Sequence, residues 1–265
     1  MAIAESAVVA EVRVDTWAAL QEALYHDSWR SEIRRHRSPF VFRGASVERG
    51  DLRTSLQKTR LERHEYHLLK HFRKYARSSY ASDSIWDWLA LGKHHGLPTR
   101  MLDWTYSPFV GLHFATADQR AYDADGVVWS VDYAKANELL PAAIRRVLSD
   151  EESQIFTSEM LETFAPSLRE FERIGSGDFV VFFEPPSLDQ RIVNQFALFS
   201  IPSRADLDLE SFLAEHPSLL RKVVFPAALK GEVRDKLDQA NVTERVLFPG
   251  LDGLAAWLRR YYTSR

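Results

Sequence analysis

A chain of 265 residues with 45% hydrophobic and 27% charged residues has globular composition and enough length to bury a sizeable core. Its formal charge of −3 excludes a global basic field for nucleic acid and leaves only local patches. The absence of cysteine excludes disulfides, thiolate nucleophiles and Cys-type metal sites, and it is compatible with a reducing cytoplasm.

Residues 1–13 read as a short strand or a loose arm. The apolar run there holds acidic residues and has no basic leader, so no secretory signal is expected. No run approaches the roughly 20 apolar residues of a membrane span. Asp15 is placed to cap a helix carrying Trp17, Leu20 and Leu24. The basic run WRSEIRRHRS reads as an exposed face. Pro39 then opens a strand, Phe40-Val41-Phe42, which ends at Arg43 and Gly44. Arg43 has two readings: pairing with a core carboxylate, or projecting into a cleft to clamp a phosphate or carboxylate. Residues 47–57 read as loop. Arg60 to Tyr75 reads as an amphipathic helix with one basic face, and Ser82 or Asp83 caps a further helix that Gly96 ends.

The stretch HHGLPTRMLDWTYSPFVGLHFATA, His94 to Ala117, holds the densest chemistry. A strand carrying Arg100 and Asp103 runs through Trp104 and Thr105 to Ser107 and Pro108, where a helix begins and continues to about Asp118. A helix N-terminus at such a junction offers free N–H groups to an anion. Asp103 can supply negative charge or take a proton, or pair with Arg100 or Arg191 as a buried bridge. Trp104 is read either as a stacking surface or as core, and His95 either as a helix cap or as a proton carrier.

Further on, GVVWSVDY is a strand and residues 134–149 form a helix that Pro141 kinks or restarts. Residues 150–165 read as an acidic helix. Phe179 to Phe183 is a strand, DQRIVNQFALFSIP a second one carrying Arg191 and Gln195, and KVVFP a third. A helix over GEVRDKLDQANV, a last strand at RVLFPG and a closing helix LDGLAAWLRRYY complete the chain. Strands far apart with helices irregularly between them indicate one α+β domain, a mixed sheet with surrounding helices. Glu184 and Asp189 flank a Pro-Pro loop as a second candidate carboxylate pair. No zinc-type His motif, nucleophile elbow or phosphate-binding glycine loop occurs.

Three blocks resemble the FRG domain family: Phe42-Arg43-Gly44, the long block His94 to Ala115, and RIVNQFALF, Arg191 to Phe199. Val223 to Ala255 also fits the family's ending, so the resemblance covers residues 35–258, with a helical lead-in over 1–34 and a tail over 259–265. Ala197 stands where the family leads us to expect glycine. The order of motifs is similar to that of the ADP-ribosyltransferase fold: an early Arg, a strand ending in Ser/Thr before a helix, and a late Glu or Gln. By that resemblance the expected activity is transfer of ADP-ribose from NAD+, as substrate, to a nucleobase or a protein side chain, in a toxin-like or phage-defence-like role. Gln195, Asp103 and Arg43 are the implied catalytic residues. Arg43, Gly44, Arg100, Trp104, Thr105, Ser107 and Arg191 are the implied NAD+ contacts. An antitoxin partner would accompany a toxin-like role, and no membrane or metal is expected. The alternative is a non-catalytic module that binds a nucleotide or another anion.

Overall fold

In the computed structural model, residues 10–175, 177–187, 189–216 and 218–263 are described. Residues 1–9, part of the expected strand or arm, lie outside them. Eight strands form one sheet: β1 (Ala10–Arg13), β2 (Phe40–Ala45), β3 (Leu102–Thr105), β4 (Gly126–Asp132), β5 (Phe156–Thr157), β6 (Val180–Glu184), β7 (Ala197–Pro202) and β8 (Leu220–Phe225). The spatial order is β1-β8-β4-β2-β3-β7-β6-β5. The two outermost pairs are parallel and the rest antiparallel. The fold is α+β with a mixed sheet and surrounding helices. The expected lead-in is part of this sheet, because β1 pairs with β8.

Period-2 alternation distributes the core over the two faces. Val41, Leu102, Trp104, Val127, Trp129, Val131, Phe182 and Leu198 share one apolar layer, continuous across both halves of the sheet and covered by the helix Leu209–Ala214. The opposite face divides in two. Phe42, Val128 and Val223 meet the helices Trp17–Leu24, Pro108–Ala115 and Lys230–Gln239. Val181, Phe183, Phe199 and Ile201 meet the helices Glu65–Ala76, Ile85–His94 and Ser158–Phe164.

The division falls where β2 meets β3. Each outer neighbour of these strands is joined over four to six residue pairs, but β2 and β3 share a single pair, Phe42 with Thr105. Beyond that pair the sheet is a seam, and a groove lies over it between the two sets of helices.

Several local expectations are corrected. RVLFPG is not a strand: Glu244–Leu247 is a short helix. Its carbonyls Val246 and Leu247 accept from the side-chain amides of Asn194 and Gln195, so tertiary contacts hold a helical turn that a short apolar run leaves ambiguous. DQRIVNQFALFSIP is not one strand. Asp189 caps a helix over Gln190–Asn194, accepting from Ile192 N at 3.1 Å, and β7 starts only at Ala197. Phe196, between them, takes a left-handed conformation (φ 46°) that breaks the chain direction. The helix caps are Thr16 and Ser84 rather than Asp15 and Ser82 or Asp83. The helix after the central strand stops at Ala115, short of Asp118. Residues 150–165 contain β5 before the helix Ser158–Phe164, residues 47–57 include the start of a short helix, Ser55–Lys58, and Pro141 separates Tyr133–Ala136 from Ala142–Asp150.

Beneath Pro108–Ala115, His113 is buried beside Arg234, Arg260 and Glu244. Burial, helped by the Arg234 charge, pulls the His113 pKa down to about 3. Burial acts to raise that of Glu244, but hydrogen bonds from Arg260 (2.6 and 2.8 Å) outweigh it and hold it at about 2. Both folded-state values lie below their unfolded ones, so both groups contribute stability that is complete above the unfolded pKa and lost on acidification. For His113 the loss begins near pH 6.5, at about 1.4 kcal/mol per pH unit. For Glu244 it begins near 4.5. Urea unfolding at pH 7, 6 and 5 should therefore show falling stability, and His113→Phe should flatten that slope. An unchanged slope in the variant would assign the acid sensitivity elsewhere.

Candidate functional site

A cavity of about 270 Å³ opens over the seam, lined by Phe42, Arg43, Gly44, Lys93, Asp103, Trp104, Thr105, Phe114, Arg191, Gln195 and Ala197. Strand alternation places Asp103 opposite Leu102 and Trp104, on the side of the groove. Arg43 alternates away from Phe42, but the strands have parted here and its guanidinium reaches across the gap. Nη1 donates to the Asp103 carbonyl at 2.9 Å and lies 3.8 Å from the Asp103 carboxylate.

Lys93 completes the pair of cations on Asp103, with Nζ 2.8 Å from Oδ2 and its side chain only 10% exposed. It is the site residue that the sequence reading missed. A signal was present: Lys93 follows Leu89 by four positions and Ala90 by three, which puts a lysine on the apolar face of its helix. The Asp103 side chain remains 57% accessible and lines the cavity. Burial acts to raise its pKa, but Lys93, Arg43 and Arg191 outweigh this and hold the carboxyl below its ordinary value. Burial lowers the Arg43 pKa, partly offset by Asp103 and Asp51, and a guanidinium stays protonated at neutral pH. Three cations therefore face one carboxylate, and the cavity favours an anion.

Gln195 lies at the C-terminal cap of Gln190–Asn194 instead of on a strand. Its Nε2 donates to the Leu247 carbonyl at 3.0 Å. A carbonyl only accepts, so this bond fixes the orientation of the amide and frees Oε1 from that contact. Its main-chain carbonyl accepts from the Thr105 hydroxyl at 2.7 Å, and that hydroxyl also accepts from Ser107 N at 3.0 Å. Thr105 thereby ties β3 to the turn before β7. Arg191 sits over the Phe248 ring, 4.9 Å from its centroid. Its helix is anchored through Asp189, whose carboxylate is 2.8 Å from His94 Nε2. Burial lowers the His94 pKa, with Asp189 opposing.

Of the other expected site residues, Arg100, Ser107 and His95 lie outside the cavity, and Trp104 borders it with its indole in the core. Arg100 is fully enclosed in a bridge: Nε donates to Glu65 at 2.7 Å and Nη2 to Glu172 at 2.5 Å. It is not a partner of Asp103. Ser107 does not line the cavity. Its hydroxyl caps Pro108–Ala115 by accepting from Val110 N at 3.3 Å. Of that helix only Phe114, near the far end, reaches the cavity, so side-chain cations and not a helix N-terminus make the site positive. Trp104 is packed in the continuous core, with Nε1 donating to Ser200 at 2.8 Å and Phe182 against its ring. His95 is exposed outside the cavity, its backbone N–H bonded to Leu91 O at 3.1 Å, where Gly96 (φ 83°) ends the helix. Glu184 accepts from Tyr106 at 2.8 Å, while Asp189 serves His94 and its own helix, so these two have separate partners.

The segment that builds β2, β3 and the helices around the seam is also the one that the family comparison matches. Residues 38–124 carry an FRG domain. The match includes Arg43, Gly44, Lys93, Asp103 and Thr105, and it ends before Arg191 and Gln195. The FRG segment thus supplies one wall of the cavity, and chain outside the matched range supplies the other. Comparison with curated proteins and with solved structures returns no match. Among the described residues no helix is long and apolar enough to cross a membrane.

Proposed function

We propose that the cavity is the NAD+ site of an ADP-ribosyltransferase with a toxin-like or phage-defence-like role, acting on a nucleobase or a protein side chain. The observation that carries this reading is the meeting of Arg43, Asp103 and Gln195, from three separate stretches of chain, in one cationic cavity at the seam. At this volume the cavity takes one end of the dinucleotide, and the rest lies along the groove.

In this reading Arg43 and Arg191 hold the pyrophosphate by charge-assisted hydrogen bonds, with Lys93 adding charge. Gln195 Oε1 accepts from a hydroxyl of the nicotinamide ribose. As the C1′–N bond breaks, its electron pair leaves with nicotinamide and positive charge develops on the ribosyl centre. Asp103 is ionised at neutral pH and offers that charge a fixed counter-charge. Its depressed pKa makes it a weak base, so the acceptor's proton passes to solvent or to a group the acceptor brings. The acceptor's lone pair then forms the new bond to C1′.

The test is nicotinamide release from NAD+ by purified protein, with label transfer to DNA, RNA and protein acceptors. Arg43→Ala and Gln195→Ala should each lower release by about 100-fold or more while thermal unfolding stays cooperative. The neutral, tethered Gln195 amide favours a second reading, a non-catalytic nucleotide-binding module. A melting shift with NAD+ or ADP but no nicotinamide release would replace the transferase by that module.

A further inference from the structure

On the helix Glu65–Ala76 and its cap, Lys70, Arg73, Lys74 and Arg77 follow at i, i+3, i+4 and i+7 and so share one face. They line a groove of about 570 Å³ whose other wall includes Arg169, Ser167, Ser82 and Trp88. Five cations face this groove with one carboxylate, Asp83. Among the described residues no ion pair involves any of the five. Arg73 lies over Trp88, 5.9 Å from the ring centroid, and Arg169 over Tyr66 at 5.4 Å. These aromatic floors hold two guanidinium groups in place without neutralising them.

The helix dipole accounts for basic residues in a last turn, but not for Arg169 arriving from another helix. Nor does it account for like charges at i and i+4, Lys70 with Lys74 and Arg73 with Arg77, which repel. A ligand of opposite sign does account for them. The four helical cations extend over about 10 Å rather than converging on a point. That length spans about four successive phosphates of one strand, at about 3.4 Å each, one for each helical cation. Of the apolar residues of the groove, Leu69, Leu168 and Trp88 are buried in its floor, while Tyr66 and Ile85 are half-buried.

We propose that this groove binds the phosphodiester backbone of a nucleic-acid strand. The site stands apart from the cavity at the seam and does not depend on the NAD+ reading. One helix links the two: Ile85–His94 presents Trp88 to the groove and Lys93 to the cavity.

The experiment is fluorescence anisotropy with labelled single-stranded DNA, single-stranded RNA and duplex DNA of about 20 nucleotides, each over a range of salt. Poly-glutamate and anionic phospholipid vesicles serve as competitors. With five cations engaged on a single strand, log affinity should fall against log salt with a slope of about −3.5, roughly a 100-fold loss between 50 and 200 mM. Lys70→Glu with Lys74→Glu should weaken binding at least tenfold and make the slope shallower by about 1.4. Both side chains are exposed and in no ion pair, and Lys74 lies only over the exposed Tyr75 ring, so melting should be little changed, and the Lys70→Gln, Lys74→Gln pair gives a milder check. Trp29–Arg30 and Arg35–His36 pair as an exposed two-stranded hairpin, and reversal of two arginines there, Arg34→Glu with Arg35→Glu, should leave affinity as it was. The three nucleic-acid arms identify which strand type is preferred. The proposal is overturned by absence of binding, by a salt-independent affinity, by equal loss in the hairpin variant, or by stronger binding of poly-glutamate or vesicles.

Discussion

Gly44→Ala is expected to destabilise the protein by about 3 kcal/mol or more and to yield little folded material. A Cβ at Gly44 would stand 1.9 Å from the Gly111 carbonyl oxygen and 2.5 Å from Ala115 N. Both are backbone atoms of the helix Pro108–Ala115, so no rotamer relieves the clash and the whole helix must move off β2. The same helix carries Phe114 to the cavity and buries Leu112 and His113. The control is Gly96→Ala. There the added Cβ meets nothing within 4 Å, and only the left-handed backbone (φ 83°) is penalised, at about 1–2 kcal/mol. Urea unfolding of the two variants reads the difference. Equal losses would mean that the close approach of strand and helix at Gly44 is not what requires glycine there.

Arg100→Met should lower stability by about 3–5 kcal/mol, since it leaves the Glu65 carboxylate buried without its cation. Glu65 is 1% exposed and also accepts from the Arg100 backbone N–H at 3.1 Å, so it cannot turn out to water without giving up that bond. The melting temperature should drop by about 10 °C. Arg100→Met combined with Glu65→Leu should recover part of the loss, because the double variant removes the stranded charge. A double variant as unstable as the single would show that shape, and not the unpaired charge, sets the penalty. Since Arg100 is outside the cavity, the nucleotide binding proposed there should be unchanged in the folded fraction of either variant.

These residues also show how far a sequence carries an argument. Arg43 and Asp103 stand out as charged groups at strand ends and Gln195 only through the family resemblance, and all three line the cavity. Arg100 had the same local credentials, three positions before Asp103, yet its partners Glu65 and Glu172 come from helices remote in sequence. Nothing near Arg100 announces them. Lys93 was legible from its helical spacing and was passed over. Gln195 was assigned to a strand because RIVNQFALF is rich in β-formers, although Asp189 carries a helix-capping signal. The direction of its side chain depends on the Leu247 carbonyl, 52 residues away, which no local pattern contains.

The single backbone pair between β2 and β3 has a consequence for affinity. A joint held by one pair resists opening weakly, and Arg43, which donates to the Asp103 carbonyl, and the shared apolar layer provide the remaining resistance. In the proposed reading, an anion gripped from both banks, by Arg43 on one and by Arg191 on the other, favours the closed joint. Linkage makes the relation reciprocal: if the bound anion favours the closed joint, whatever favours the closed joint raises affinity for the anion. In that reading, tightness of binding and rigidity of the sheet are coupled, and a substitution far from the cavity that loosens the joint lowers affinity.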